Sequence, residues 1–252
     1  MDKIIQVKNL SHIYDHENKR YGIKNINLSI NKGEFIILAG RNGSGKTTLL
    51  RHFNGLLSPT SGEILVFGHP IKNNLIQVRK KIGMVFQDAD AQIVGETVFD
   101  EVAFGPENLK WTRKTINQKV KLTLDNLGLT QFVHRNPATL SGGEKRKLAV
   151  AGILVMDPEV ILFDEPFSNL DFPGSLSLLS IINSLNKQGI TIIIATHDIE
   201  KIIDQATRMI IMDNGIVKKD DLPCKLVKTV EQYGIREPCS SKLNMGIRGW
   251  AD

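Results

Sequence analysis

The segment GRNGSGKT at residues 40–47 combines glycines, a lysine and a hydroxyl group in the spacing of a phosphate-binding loop. Glycines allow backbone N–H groups to approach phosphate oxygens, Lys46 can reach terminal phosphates, and the Thr47 hydroxyl can bind Mg²⁺. A strand-like EFIILA precedes the loop and a helix-like TTLLRHFNGLL follows it, as this spacing requires. The alternative, a glycine-rich turn without a ligand, is disfavoured by these flanking elements.

Two carboxylates follow an apolar segment in VILFDEP, residues 160–166. Asp164 is in position to hold Mg²⁺ through a water, and Glu165 to accept a proton from a water that attacks a phosphate. An acidic pair after a strand is, by itself, equally compatible with a solvated turn. The phosphate-binding loop makes the catalytic interpretation the favoured one.

Polar side chains end two further apolar runs. His197 follows IIIAT and Gln87 follows GMVF. Ligands of open α/β sheets bind at the carboxyl ends of the strands, so His197 could contact a terminal phosphate and Gln87 could bridge Mg²⁺ and the attacking water. Taken singly, a structural histidine and an ordinary loop glutamine are the more common interpretations. The other histidines are assigned to structure or surface: His12, His16, His52, His69 and His134.

LSGGEKRK at residues 140–147 is typical of a helix start. Ser141 is predicted to cap the helix, with Glu144 as its capping-box partner. Two glycines expose backbone N–H groups there, and the helix dipole adds roughly half a positive charge. The sequence therefore predicts a second anion-binding site, about a hundred residues after the first.

Short β-like runs and one helical stretch must position these motifs. The early strand candidates are IIQV (4–7), INLSI (26–30), EFIILAG (34–40) and GEILVFG (62–68), with a hairpin-type loop at 15–22. A helical pattern then occupies residues of about 90–155, with Pro106 and Pro137 as breaks. The runs VILFDEP and ITIIIATHD are uninterrupted, as in parallel strands buried on both faces.

A crossover helix closed by Gly189 is predicted between those two runs, and a hairpin with an Asn-Gly turn over residues 208–217. The longest apolar run, LAVAGILVM at 148–156, is far shorter than the ~20 residues of a membrane span. With no secretory signal visible, we expect a soluble chain. Cys224 and Cys239 show no metal-ligand spacing, so free thiols are expected. A formal charge of +5 fits a nucleotide, an anionic membrane or nucleic acid, and does not decide among them.

The phosphate loop, LSGG and the acidic strand end occur in an order that resembles the nucleotide-binding domain of ABC ATPases, over about residues 4–217. This resemblance implies an α/β fold with a P-loop NTPase (RecA-like) core, an N-terminal antiparallel β subdomain and an inserted helical subdomain. The domain would cover residues 1–221, with the helical subdomain at about 90–155 and a short tail at 222–252. It also implies ATP hydrolysis with Mg²⁺.

The resemblance implies a head-to-tail dimer in which LSGG of one subunit covers the ATP of the other. The implied catalytic residues are Glu165, His197, Gln87 and Lys46, and the implied metal ligands are Thr47, Gln87 and Asp164. The implied ATP contacts are Tyr14 on adenine, Gly40, Arg41, Asn42, Gly43, Ser44, Gly45, Lys46, Thr47 and Thr48, with Ser141, Gly142, Gly143 and Asp171 at the dimer seam. Tyr21 lies close to Tyr14 in the sequence and is the alternative adenine contact.

A narrower likeness lies in VFQDADAQIVGETVFDEVAFGPENL, residues 85–109, and in RHFNGLLSPTSGEILVFG. Both resemble ATPases of energy-coupling-factor importers, including the cobalt- and nickel-uptake ATPases. The resemblance implies a groove for a helix of a transmembrane coupling subunit, a substrate-binding membrane subunit, and a peripheral place on the cytoplasmic face of the membrane. The groove floor would be formed by Ile93, Val94, Phe99 and Phe104, although Phe99 and Phe104 equally suit the subdomain's own core.

Two other classes of function remain as alternatives. An ABC-type ATPase acting on DNA or the ribosome would carry a coiled-coil insertion or two cassettes, and neither is visible, so no nucleic-acid partner is expected. A P-loop kinase or GTPase would leave LSGGEKRK without a role. The transported solute (cobalt, nickel, a vitamin or another ion) is left open, as is whether the second ATPase is an identical copy or a paralogue.

Overall fold

The computed structural model describes residues 2–15, 17, 20–243 and 245–250. Several residues lie outside the described part of the chain. They include His16 and residues 18–19 of the predicted hairpin loop, and residues 251–252 of the tail. The strands are β1 (Lys3–Asp15), β2 (Arg20–Asn31), β3 (Phe35–Ala39), β4 (Ser61–Val66), β5 (His69–Pro70), β6 (Ile82–Val85), β7 (Val160–Asp164), β8 (Thr191–Thr196), β9 (Arg208–Asp213) and β10 (Ile216–Asp221). The α-helices are α1 (Lys46–Phe53), α2 (Leu75–Lys81), α3 (Ala89–Gln92), α4 (Val98–Asn108), α5 (Arg113–Leu127), α6 (Gly142–Leu154), α7 (Phe172–Lys187), α8 (Pro223–Leu226) and α9 (Cys239–Lys242).

An antiparallel sheet in the order β2-β1-β4-β5 forms the N-terminal layer. β1 and β2 form the predicted hairpin, but both strands extend well beyond the short apolar runs that indicated them. One face of these strands packs inward and the other faces solvent, but register shifts between β1 and β2 interrupt the alternation of buried and exposed side chains. The strands therefore include polar residues that no apolar run indicates.

The main sheet has the order β10-β9-β3-β8-β7-β6 in the described part of the chain. β3, β6, β7, β8 and β9 run parallel, and only β10 pairs antiparallel, through the predicted hairpin at Asn214 and Gly215. Both turn residues have positive φ, as a tight two-residue hairpin turn requires. The prediction of an α/β fold with buried parallel strands is confirmed.

The core lies on both faces of this sheet. Along β3, Phe35 and Ile37 pack into the cluster under the helices α4–α7, whereas Ile36 and Leu38 pack against the antiparallel layer and α1. Side chains of a strand alternate between faces, so a run that is apolar throughout must be covered twice. This double cover fixes the carboxyl ends of the parallel strands along one rigid edge.

Helices α3–α6 lie between β6 and β7, which confirms the inserted helical segment. Thr97 and Ser141 each form a capping box, with Asp100 and Glu144 respectively, and Gly128 ends α5 in the left-handed conformation. After β10 the described chain forms only short helical turns. Among the described residues, no helix is long and apolar enough to cross a membrane.

Candidate nucleotide-binding site

The phosphate-binding loop connects β3 to α1. Gly43 and Gly45 adopt φ values of 79° and 101°, which favour glycine. Ser44 is buried, and its Oγ is without a hydrogen-bond partner among the described residues. No side chain caps α1, so the N–H groups of its first turn are available to an external acceptor. An orphaned buried hydroxyl beside free N–H groups fits a bound phosphate chain.

Lys46 is buried beneath this loop. Its Nζ donates to the carbonyl oxygens of Gly40 (2.7 Å) and Arg41 (3.2 Å) and lies 3.6 Å from Oε1 of Glu165. Burial lowers the pKa of Lys46, and the carboxylates of Glu165 and Asp164 oppose that shift. A buried ammonium ion beside an anion-binding loop is suited to hold phosphate oxygens.

The hydroxyl of Thr47 donates to Oδ1 of Asp164 (2.9 Å), so the start of α1 and the end of β7 meet as predicted. Burial raises the pKa of Asp164, and the hydrogen bond from Thr47 partly offsets this. A hydroxyl and a carboxylate are hard oxygen ligands of the kind that Mg²⁺ prefers. A bound cation would also offset the free-energy cost of burying the negative charge of Asp164. The residues present therefore fit Mg²⁺.

Glu165 follows β7 in a left-handed conformation (φ 46°), which is unusual for a residue with a side chain. Its Oε2 accepts from the Thr196 hydroxyl (2.9 Å), and its Oε1 accepts from the backbone N of His197 (3.1 Å). The Nδ1 of His197 lies 2.9 Å from the same Oε1. The predicted convergence of β7 and β8 thus places Glu165 and His197 in direct contact, although half of the His197 side chain remains exposed.

Gln87, two residues after β6, is exposed and shares a cavity with Thr47 and Glu165. The buried guanidinium of Arg146 donates to the carbonyl oxygens of Phe86 (2.5 Å) and Gln87 (2.7 Å). The backbone that carries Gln87 is therefore fixed from α6, the helix that begins at LSGG.

The aromatic side of the site is formed by Tyr14 and Tyr21, which are both partly exposed. The Tyr14 hydroxyl shares a hydrogen bond with Oγ1 of Thr48 (3.0 Å). One cavity of about 370 Å³ joins the two tyrosines, the phosphate-binding loop, Gln87 and Glu165. Its lining residues are Tyr14, Arg20, Tyr21, Gly22, Asn42, Gly43, Ser44, Gly45, Lys46, Thr47, Thr48, Gln87 and Glu165. Gly40 and Arg41 belong to the same loop but are not part of this lining.

The LSGG segment lies elsewhere. Ser141, Gly142 and Gly143 line a separate cavity of about 490 Å³ together with Asp171, which caps α7 by accepting from the N–H of Gly174 (2.9 Å). The structure therefore does not bring these four predicted ATP contacts to the phosphate-binding loop of the same chain. This separation is what a contact made to a second subunit would require.

Comparison with known proteins decides the family. The family model described as "ABC transporter" matches residues 23–168, from β2 through the acidic strand end to Ser168. The chain belongs to the ABC transporter family. It is accordingly an ABC-type ATPase with an α/β P-loop fold.

Individual ABC relatives agree. The "Energy-coupling factor transporter ATP-binding protein EcfA" of Methanocaldococcus jannaschii is 43% identical over 222 residues, which cover 86% of this chain and 80% of that protein. EcfA2 of Methanospirillum hungatei is 43% identical over 226 residues, 88% of this chain but 56% of that protein. The structure of cbiO1 from Clostridium perfringens, titled as part of the ABC transporter complex cbiONQ, matches with a TM-score of 0.82 at 34% identity, covering 97% of this chain and 100% of that one.

Three residues that support predicted residues of this ABC site are absent from the predicted set. Thr196 orients Glu165, and Arg146 fixes the backbone at Gln87. His12, assigned above to structure or surface, packs against Tyr14 with ring centroids 4.6 Å apart. Thr196 carried a signal, since it ends β8 one residue before His197. Arg146 lies within a basic run, and nothing in the sequence around it indicated a contact with the backbone at Gln87.

The predicted groove separates into two parts. Val94 and Phe104 are more than half exposed and line an apolar cavity of about 610 Å³ with Ile76 and Met156. Phe99 is partly buried and packs against the core of the helical subdomain. Ile93 also packs against that core and does not line the cavity. The residues that line the cavity are Ile76, Arg79, Lys80, Gln92, Val94, Glu101, Phe104, Gly105, Asn108, Leu109, Gly152, Ile153 and Met156.

Proposed function

We propose that this chain is the ATP-hydrolysing subunit of an energy-coupling-factor importer that moves a small solute across a membrane. The observation that carries the proposal is the cavity shared by the phosphate-binding loop, Gln87 and Glu165. The energy-coupling-factor relatives of M. jannaschii and M. hungatei support the transporter subgroup.

In the proposed reaction, water attacks the γ-phosphate of ATP in line with the bond that breaks. Lys46 moves from its carbonyl partners to the phosphate oxygens and neutralises their charge. Glu165 accepts the proton of the water, and His197, in contact with the same carboxylate, contacts the γ-phosphate. Tyr14 stacks on adenine.

Thr47 and Asp164 hold Mg²⁺ in this proposal, with Gln87 as a third ligand. When bound, the ion would supply positive charge beside the β- and γ-phosphates. The carboxylate of Asp164 is oriented for this by the hydrogen bond that it already accepts from Thr47.

The proposed site is completed by a second ATPase, either a copy of this chain or a paralogue. Ser141, Gly142 and Gly143 would contact the ATP of that subunit from the separate cavity described above, with Asp171 at the seam. The capping box uses the N–H groups of Ser141 and Glu144, so the N–H groups of Gly142 and Gly143 between them would be the donors to a γ-phosphate.

The proposed membrane partners are a transmembrane coupling subunit and a substrate-binding membrane subunit, with this chain peripheral on the cytoplasmic face. The apolar cavity at Val94 and Phe104 would receive a helix of the coupling subunit. The cargo would be a cobalt or nickel ion or a vitamin. The C. perfringens neighbour is described as part of the ABC transporter complex cbiONQ, which supports a place for this chain in a transporter complex.

The test of the proposed chemistry is Glu165→Gln. Glutamine can keep its Oε1 toward His197 and turn its NH₂ toward the Thr196 hydroxyl, so the fold and ATP binding are expected to persist. Without a base, turnover should fall roughly 100-fold or more. The matched control is Glu63→Gln, at an exposed position of β4, with unchanged turnover. Near-normal ATP hydrolysis by Glu165→Gln would rule out Glu165 as the base.

A further inference from the structure

The rings of Tyr14, His12 and His52 pack in a row, and Tyr14 lines the aromatic side of the nucleotide cavity. The rings of Tyr14 and His12 meet edge to face, with centroids 4.6 Å apart, and those of His12 and His52 likewise at 4.9 Å. Tyr14 and His12 belong to β1, whereas His52 belongs to α1, the helix of the phosphate-binding loop. The row therefore connects the antiparallel layer to that loop.

Both histidines are anchored to the backbone. Nδ1 of His12 donates to the carbonyl oxygen of Ser58 (3.1 Å), and Nδ1 of His52 donates to that of Thr48 (2.7 Å). His52 is fully buried, and its Nε2 is without a partner among the described residues. His12 is thus held between a fixed ring and a fixed carbonyl group, so it can act as a rigid support.

Tyr14 is restrained on its other sides too. A Cβ atom at Gly22 would lie 2.5 Å from Cε2 of the Tyr14 ring, so the ring passes directly over a residue without a side chain. The hydrogen bond to Thr48 holds the hydroxyl end. Even so, 53% of Tyr14 is exposed. These contacts restrain the Tyr14 side chain, and its exposed part lines the nucleotide cavity.

We propose that His12 is a positioning residue for nucleotide binding: together with His52 behind it, His12 holds the Tyr14 ring in the orientation that stacks on the base. The inference rests on the proposed function, which supplies the nucleotide. Ordering an exposed side chain in advance removes a free-energy cost that binding would otherwise meet. His12 touches neither base nor phosphate in this assignment and acts through Tyr14.

The test compares ADP with pyrophosphate, each with Mg²⁺, by titration calorimetry. Pyrophosphate occupies the phosphate-binding loop alone, whereas ADP also uses the base side. His12→Ala should weaken ADP binding roughly two- to tenfold, the range of one edge-to-face ring contact, and leave pyrophosphate binding unchanged. His12→Phe, which keeps a ring, should restore ADP affinity to within about twofold of the wild type. His69→Ala, at an exposed position of β5 in the same sheet, is the control and should match the wild type.

A double-mutant cycle with Tyr14→Ala separates positioning from general stability. In the Tyr14→Ala background, His12→Ala should cause no further loss of ADP affinity. The inference is overturned by an equal loss in that background, by wild-type ADP affinity in His12→Ala, or by parallel loss of ADP and pyrophosphate binding. Wild-type protein that binds neither ligand would instead overturn the proposed function.

Discussion

Replacing Arg146 with leucine tests how α6 supports the catalytic edge. The Arg146 guanidinium is almost fully buried and donates to the carbonyl oxygens of Phe86 and Gln87 at 2.5 and 2.7 Å. Burial lowers the pKa of Arg146, whereas the charge of Asp88 opposes this shift. Leucine fills much of the space of the side chain but leaves both carbonyl groups without their donor.

Hydrogen bonds to a charged group contribute roughly 1.5–3 kcal/mol each, so the two bonds represent about 3–6 kcal/mol before compensation. Removing a buried charge offsets part of this loss, and Nε of Arg146 lacks a partner among the described residues. We therefore expect Arg146→Leu to lower the free energy of unfolding by about 2–4 kcal/mol.

The assay is urea unfolding followed by circular dichroism. The control is Arg113→Leu, which removes an ion pair with Glu107 (2.7 Å) between two exposed side chains and a cation–π contact with the Phe99 ring (5.4 Å). Exposed contacts of either kind contribute about 0–1 kcal/mol, so the control should unfold closer to the wild-type midpoint than Arg146→Leu. An Arg146→Leu midpoint no lower than that of Arg113→Leu would refute the support of Gln87 by this guanidinium.

Two further predictions concern carboxyl groups whose pKa values differ from their ordinary range. Burial raises the pKa of Asp164, so its ionised form lowers the stability of the folded state. Asp164→Asn should therefore raise the Tm near pH 7. This gain in Tm should vanish as the pH falls through the raised pKa toward about 4, where the carboxyl group is protonated in both the folded and the unfolded chain. A lower Tm for Asp164→Asn at pH 7 would contradict this. Hydrogen bonds from Ser141 lower the pKa of Glu144, so Glu144→Ala should lower the Tm at neutral pH, with the difference shrinking as the pH falls below about 4.5 through the lowered pKa. A Tm difference that stays constant into acid would contradict that assignment.

The contact between Thr47 and Asp164 was predictable although 117 residues separate them. Asp164 ends β7, and Thr47 follows β3 through the phosphate-binding loop. Both strands are buried on both faces, and parallel strands place their carboxyl ends on one edge. The capping box of Ser141 and Glu144 was predictable because it is local. For these residues, the order of elements along the chain determines the geometry.

The supports of the site were not predictable in the same way. Arg146 lies in a basic run that is also typical of an exposed helix, and its contacts at Phe86 and Gln87 depend on how α6 packs. The contact between His12 and His52 depends on the docking of the antiparallel layer on α1. The sequence around Arg146 and around His12 has no periodicity or spacing that would identify a contact residue in another layer of the fold.

The most direct test of the central claim is to isolate the tagged protein from gently solubilised membranes of its own host and identify its partners by mass spectrometry. We expect a polytopic membrane protein to be recovered with the wild type. That partner should be lost with Phe104→Asp, in the apolar groove, and retained with Leu122→Asp, at a similarly exposed position of α5. Recovery of soluble or ribosomal partners alone, with no membrane protein, would contradict transport.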